Sequence, residues 1–298
     1  MDAQQNLYNL DYPLALIIAL RAIALDGDIA TTRLSIGCDA TARTSIDPAG
    51  VLGRQPGLDG HNRFEGDTSL TRDDFFFYGD DFTFNGTLFQ SMYEHAQDFG
   101  DGLFNRDAIA AYRSKRYDDS LATNPNFYFG PKALLLYGAA SFIYNAFPGS
   151  NRQPDLENTA TFFGAVDNGD GTWDHVPERI PDGWRNRETP YTVSEIGNEV
   201  FAQYTAHPKL FGGNVGVNNF VALNTTFGLI TDGEIPDDAT AADFTCFLYQ
   251  LLTENVPGQV ENEPELALDV LEWLATRISP VFEDLGCPLD PNPQRMAK

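Results

Sequence analysis

The chain is poor in the residue types on which zinc enzymes and nucleic-acid-binding proteins depend. Its 298 residues include four histidines and three cysteines, and 19 basic side chains stand against 43 acidic ones. The resulting net charge of −24 argues against nucleic acid and anionic membranes as partners. No two histidines have the spacing of a metal-ligand pair, such as four residues on a helix, so a zinc site is not expected.

Long apolar runs are also missing. A membrane-spanning helix needs about 18–20 predominantly apolar residues, and the most apolar segment, residues 13–25, contains Arg21. The chain begins Met-Asp-Ala-Gln-Gln, which has neither the basic start nor the apolar core of a signal peptide. We therefore predict neither a membrane span nor a signal peptide within these 298 residues.

The apolar residues that are present recur mainly at helical spacing, and strict alternation is rare. This pattern predicts helices at about residues 12–25, 87–99, 107–122, 131–147, 192–206, 239–253 and 264–284. Loops rich in Gly, Asn and Pro separate these segments, and no long linker divides the chain. We expect a mostly α fold with long ordered loops, built as a single compact domain over residues 1–298.

One acidic stretch offers oxygen ligands for a cation. Residues 65–69 read Glu-Gly-Asp-Thr-Ser. The carboxylate of Glu65, the carbonyl of Gly66 and the hydroxyl of Ser69 are hard oxygens of the kind that Mg²⁺ prefers. Glu-Gly-Asp alone is common and also fits a solvated loop, so at this point both interpretations stay open.

The longer sequence around this stretch is more specific. It continues as Tyr78-Gly-Asp-Asp-Phe-Thr-Phe-Asn-Gly-Thr-Leu-Phe89, and residues 116–127 read Arg-Tyr-Asp-Asp-Ser-Leu-Ala-Thr-Asn-Pro-Asn-Phe. With Leu-Ser-Ile-Gly at 34–37 and Thr-Cys-Phe-Leu-Tyr at 245–249, these segments resemble, in the same order, the fungal heme-thiolate peroxidases, the chloroperoxidase and unspecific peroxygenase family. The resemblance extends from about residue 6 to residue 288.

The resemblance implies a fold, two cofactors and an activity. It implies a helical heme protein that uses hydrogen peroxide to oxidise or oxygenate a small organic substrate. Glu65, Gly66 and Ser69 would hold Mg²⁺ against a heme propionate, and Cys246 and Cys287 would form a disulfide as in long-chain members. The substrate, the choice between halogenation and oxygenation, and the oligomeric state stay open.

The chain departs from the family's pattern at the iron ligand. The family holds its heme through a cysteine thiolate in an N-terminal Pro-Cys-Pro segment, and such a thiolate favours O–O cleavage. The chain begins at a point that corresponds to the family's second helix, so we expect that segment to be missing and heme binding by these residues alone to be poor. Cys38 is interpreted as a small buried or free thiol.

A second departure concerns proton transfer to peroxide. Long members of the family use a glutamate that follows an arginine by seven residues, a spacing that puts both side chains on one helix face. Aligning Tyr137-Gly138 with the family's Tyr-Gly places Ala139 at the glutamate position and Lys132 at the arginine position. Lysine holds a charge there, but alanine moves no proton. A plain core helix over residues 131–147 explains the same residues equally well.

These observations leave more than one function open. The metal loop favours a heme-dependent peroxidase or peroxygenase, whereas Ala139 favours a diverged, non-catalytic member that binds a cation or small molecule. Non-redox tailoring chemistry is a third possibility. Glycosylation sequons at Asn85 and Asn224, together with the implied disulfide, favour a secreted protein.

Overall fold

The computed structural model describes residues 2–19, 67–79, 83–216, 219–223, 229–253 and 264–288. Helices dominate these residues: α1 (Asp2–Asn6), α2 (Tyr12–Ile17), α3 (Phe75–Tyr78), α4 (Gly86–Phe99), α5 (Arg106–Thr123), α6 (Ala133–Asn145), α7 (Leu156–Phe163), α8 (Val193–Ala206), α9 (Ala241–Thr253) and α10 (Pro264–Asp284). Two small antiparallel sheets accompany them. One joins β1 (Tyr128–Phe129), β4 (Gly212–Asn214) and β5 (Phe220–Ala222) in the order β1-β4-β5, and the other pairs β2 (Ala165–Asp167) with β3 (Trp173–His175). The mostly α prediction is confirmed.

Side-chain caps fix where several helices begin. The Asn85 side chain accepts from the backbone N–H groups of Thr87 and Leu88 at the start of α4. At the start of α8, Thr192 and Glu195 each bind the other's backbone N–H, which forms a capping box. Such caps satisfy backbone donors that have no partner inside the helix. They are local in sequence, and for this reason the predicted helix starts lie close to the observed ones.

Sequence reasoning missed the helix α7. Its sequence, Leu-Glu-Asn-Thr-Ala-Thr-Phe-Phe, contains β-branched and aromatic residues of modest helix propensity. Asp155 caps its first turn by accepting from the Asn158 N–H, and Gly164 ends it in the left-handed conformation. The predicted helix over 12–25 is helical from Tyr12 to Ile17, and the positions after residue 19 lie outside the described residues.

The α8 helix contacts α5, α6 and α9, and α6 also contacts α5. A core group made by α5, α6, α8 and α9 includes Phe127, Leu134, Val200, Phe211 and Phe244. A second group, formed around α2, α9 and α10, includes Leu14, Tyr191, Tyr249 and Phe282, and a third, around α4, α5 and β3, includes Phe89, Met92, Ile109 and Trp173. Burial of these side chains supplies the main driving force for folding.

The two described cysteines cross-link the C-terminal part of the fold. Cys246 in α9 is bonded to Cys287, which follows α10, and their Cα atoms are 5.2 Å apart. This is the pairing that the resemblance implies. Within the described residues, no helix combines the length and apolar content needed to cross a bilayer.

Candidate active site

The described part of the predicted metal loop, residues 67–74, is anchored to α5 by one buried carboxylate. Asp74 has a side chain that is 1% exposed and accepts hydrogen bonds from the Thr68 backbone N–H (3.1 Å), Ser120 Oγ (3.0 Å) and Asn124 Nδ2 (3.0 Å). The Arg116 guanidinium lies 3.5 Å from the same carboxylate and is itself 7% exposed. Burying a charge is costly unless it is paired and hydrogen-bonded, and here both conditions are met.

Thr68 sits in a strained position at the centre of this loop. Its φ of 73° lies in the left-handed region, which non-glycine residues adopt rarely and at a cost of about 1–3 kcal/mol. The residue is fully buried, and its Oγ1 has no hydrogen-bond partner within the described residues. Buried polar side chains are rarely left without a partner, so this hydroxyl differs from the hydrogen-bonded groups around it.

Further bonds fix the loop on its other sides. The Arg116 Nε donates to the Ser69 carbonyl (2.8 Å), and the buried Tyr112 hydroxyl donates to the Leu70 carbonyl (3.0 Å). Asp67 accepts from the backbone N–H of Tyr128 in β1 (2.8 Å). Since β1 leads directly into α6, these bonds place the loop that carries Ser69 beside the start of the helix that follows Lys132.

One face of α6 is open although most of the helix is buried. Buried positions include Leu134, Leu136, Gly138 and Ala140, whereas Lys132 and Leu135 are half-buried and Ala139 is exposed. Residues 132, 135 and 139 are separated by three and four positions and therefore lie along one stripe. Ala139 is therefore the exposed position of this stripe, whereas Leu135 packs in part against the core group that includes Leu134.

The buried side of α6 carries polar groups of its own. The Arg113 guanidinium lies 4.5 Å from the centre of the Tyr137 ring, within the range of a cation–π contact. Gln203 Nε2 donates to the Tyr137 carbonyl at 2.8 Å. Burial raises the pKa of the Tyr137 phenol, and the Arg113 charge opposes that rise only in part. These contacts fix the rotation of α6 and so keep residues 132, 135 and 139 facing the open side.

A third polar cluster joins α5, α6 and α8. Glu199 receives two hydrogen bonds from Arg106, from Nε at 2.7 Å and from Nη2 at 2.6 Å, and one from the Tyr144 hydroxyl at 2.8 Å. Burial disfavours ionisation of Glu199, but the bonds from Arg106 and Tyr144 outweigh it and hold the pKa below its ordinary value. Burial, followed by the Glu199 charge, raises the pKa of the Tyr144 phenol.

Several predicted site residues lie outside the described residues: Glu65, Gly66, Cys38 and Asn224. Ser69 and Lys132 are described and lie on neighbouring elements. In the part of the chain that the structure covers, no cluster of three or more His, Cys, Asp or Glu side chains is arranged to hold a metal ion. Asn85 is half-buried, and its Nδ2 donates to Asp73 (2.7 Å). A sugar attached to that nitrogen would have to be accommodated beside this hydrogen bond.

The aromatic residues between positions 73 and 89 divide into two groups. Phe89 is fully buried in the core beside Trp173. Phe75, Phe76, Phe77 and Tyr78 of α3 are instead all exposed, with Tyr78 at 72%. The sequence did not distinguish these groups because exposure depends on which neighbouring elements cover each ring.

Sequence reasoning did not identify the polar groups that hold the site together. Asp74 is one of several acidic residues in its stretch, and nothing local marks it as buried. A signal did exist in α5, where Arg116, Ser120 and Asn124 recur every four residues and so form a polar stripe on one helix face. For Glu199, Arg106 and Tyr144 there was no such signal, since they come from three helices far apart in sequence.

Comparison with known proteins gives consistent matches. The family described as "Peroxidase, family 2" matches residues 1–189. An aromatic peroxidase of Fusarium equiseti is 27% identical over 306 residues, which cover 97% of this chain and 69% of that protein. Aromatic peroxygenases of Cyclocybe aegerita and Coprinellus radians are 33% and 35% identical, and the aligned regions cover 84% and 60% of this chain. The chain spans 60% and 66%, respectively, of the lengths of these two relatives.

Proposed function

Because the chain belongs to peroxidase family 2, we propose that the complete protein is a heme-dependent oxidoreductase that uses hydrogen peroxide to oxidise or oxygenate a small organic substrate. The relatives named above are all called peroxidases or peroxygenases. Those names favour a catalytic protein over a non-catalytic binding protein. The observation that supports the proposal best is the open face of α6 beside the anchored loop.

The residues on this face fit the heme from one side. Ala139 and the part of Leu135 that the core leaves uncovered offer apolar contact to a flat macrocycle, and Lys132 offers a positive charge at the end of the stripe. When bound, the heme supplies the iron centre that reacts with peroxide. Cys246 and Cys287 are bonded to each other, so neither offers a thiolate. A thiolate that holds the heme would therefore come from a segment outside the described residues.

The heme assignment is tested by spectroscopy. The gene is expressed with any in-frame coding sequence upstream of Met1, and the ferrous–CO spectrum of the product is recorded. Thiolate ligation gives a strongly red-shifted Soret band, which is the expected result. A heme-free product, or a Soret band at the position given by histidine ligation, would refute the assignment.

The chain's own residues limit proton transfer on the open face. Lys132 orients a negatively charged or polar oxidant, but Ala139 offers no base. We expect Ala139→Glu to speed the reaction with peroxide, since a positioned general base typically contributes about 10²–10⁴ in rate. Ala139→Gln, which places a side chain of the same size but without a base at the same position, is the matched control and should give little gain. Equal rates for the two variants would show that a carboxylate at position 139 does not act as a base toward the oxidant.

We extend the proposal to Mg²⁺ at the loop. Support comes from Thr68 Oγ1, a buried oxygen that has no partner among the described residues, next to Ser69 and close in sequence to Glu65 and Gly66. Metal analysis of the purified holoprotein should find Mg²⁺, and Glu65→Gln should lower its content. Glu94→Gln, which changes an exposed carboxylate in α4, should leave it unchanged. Magnesium retained fully in Glu65→Gln would contradict the assignment of that ligand.

We also propose that the protein is secreted. The Cys246–Cys287 disulfide supports this, because such bonds persist in oxidising compartments. The acidic balance of the chain suits a protein that stays dissolved outside the cell. Detection of the protein in culture medium, with a mass shift at Asn85 or Asn224, is the expected result. Retention of all the protein inside the cell would contradict it.

A further inference from the structure

Tyr144 is bonded to a base in a way that other buried tyrosines are not. Its hydroxyl donates to Glu199 Oε2 at 2.8 Å. The hydroxyls of Tyr112, Tyr117 and Tyr204 instead donate to backbone carbonyls of Leu70 and Leu88, Leu210, and Lys209. A carbonyl oxygen is too weak a base to take a phenol proton, whereas a carboxylate accepts one. The difference matters because a phenol becomes a stable neutral radical only when it loses its proton together with an electron.

Arg106 keeps the carboxylate ready for this role. Its two hydrogen bonds occupy one lone pair on each Glu199 oxygen and fix the orientation of the group. The paired Glu199 is 10% exposed, so water does not compete freely for its oxygens. Because this pairing favours the charged form, Glu199 is ionised near neutral pH and able to accept a proton.

We propose that Tyr144 and Glu199 form a redox-active pair. When Tyr144 is oxidised, its O–H bond breaks, one electron leaves to the oxidant, and the proton moves to Glu199 Oε2. The oxidant is the peroxide-oxidised heme of the proposed function, and this part of the inference rests on that function. The radical is quenched when a phenolic reductant at the protein surface gives up one electron, releases its own proton to solvent, and Glu199 returns its proton to Tyr144.

The position of the Tyr144–Glu199 pair suits electron transfer between the open face of α6 and the protein surface. Tyr144 lies five residues after Ala139 on the same helix, roughly 7.5 Å along the axis. On the other side of Glu199, the Arg106 side chain is 50% exposed. The pair thus connects the helix that carries the open face with a site that solvent reaches. It gives the protein a second place of oxidation, for electron-rich phenols at the protein surface.

The test does not need heme. The 298-residue protein is oxidised with a light-generated ruthenium(III) polypyridyl complex, and phenoxyl radicals are detected by electron paramagnetic resonance. The exposed Tyr12, Tyr78 and Tyr128 are first changed to Phe, since they would give radicals of their own. In this background we expect a radical signal that Tyr144→Phe largely removes. Oxidation of Tyr144 should also be slower in D₂O, because its proton moves with the electron.

Two further variants separate a redox role from a structural one. Glu199→Gln keeps the size of the side chain but removes the base, and it should lower the signal as Tyr144→Phe does. Tyr112→Phe removes a buried phenol whose hydroxyl donates to backbone carbonyls and not to a carboxylate, and it should leave the signal unchanged. The proposal is overturned if Tyr144→Phe retains the signal, if Tyr112→Phe removes as much of it, or if D₂O has no effect. The comparison of Tyr144→Phe with Tyr112→Phe decides the matter even if Glu199→Gln does not fold, and a failure to find heme leaves all of these results interpretable.

Discussion

Removal of the Asp74 carboxylate should destabilise the protein more than removal of any exposed carboxylate nearby. Asp74→Ala leaves the buried Arg116 without its ion-pair partner and leaves the donors of Thr68, Ser120 and Asn124 without an acceptor. Breaking one side of a buried ion pair costs about 3–5 kcal/mol. At roughly 2 °C per kcal/mol for a chain of this size, the melting temperature should fall by roughly 6–10 °C.

The matched control is Asp119→Ala. Asp119 lies 3.8 Å from Arg116 Nη1, but its side chain is 40% exposed, so water replaces it easily. A pair of this kind contributes about 0–1 kcal/mol. Urea unfolding monitored by circular dichroism measures both free energies of unfolding. Equal losses in the two variants would show that burial of Asp74 does not govern the strength of this anchor, and the account of the loop would be wrong.

Three further predictions concern other parts of the fold. Glu199 has a lowered pKa, so its ionised carboxylate stabilises the protein at pH values above the ordinary pKa of 4.5. This stabilisation is lost as the pH falls through the lower pKa of the folded state. Urea unfolding at acid pH should therefore show a weaker loss of stability for Glu199→Gln. Cys246→Ser opens a loop between positions separated by 41 residues and should cost about 4 kcal/mol, measured by urea unfolding. Gly197→Ala should cost about 1–3 kcal/mol of stability, because the added Cβ would overlap Thr245 Oγ1. At Gly138 the nearest atom to an added Cβ is 3.4 Å away, so Gly138→Ala should be neutral or stabilising. Equal melting temperatures for the two variants would contradict the close approach of α8 and α9.

Some structural features could be predicted because their causes are local. The start of α4 depends on an asparagine that binds N–H groups two and three residues ahead, and α8 begins with a Thr–Glu pair three residues apart. Both signals are contained in a few consecutive letters. The pairing of Cys246 with Cys287 was implied by family resemblance, and the packing of α9 against α10 brings the two residues together.

Other features had no local cause. Ala139 and Ala140 are neighbours of the same type, yet one is exposed and the other is buried. Four adjacent aromatics in α3 are exposed, although aromatic side chains are more often buried. In each case the outcome depends on which distant element covers the residue, and hydrophobicity alone does not specify that partner.

The sequence by itself determined the helical fold class, the family and the oxygen-rich loop, because periodicity, caps and ordered motifs are properties of consecutive residues. Only the tertiary structure decided that Asp74 is the buried anchor of that loop and that Glu199 accepts from both Arg106 and Tyr144. The physical reason is that ionisable groups acquire these roles from desolvation and from partners on other helices. Both depend on the three-dimensional packing of segments that are tens of residues apart.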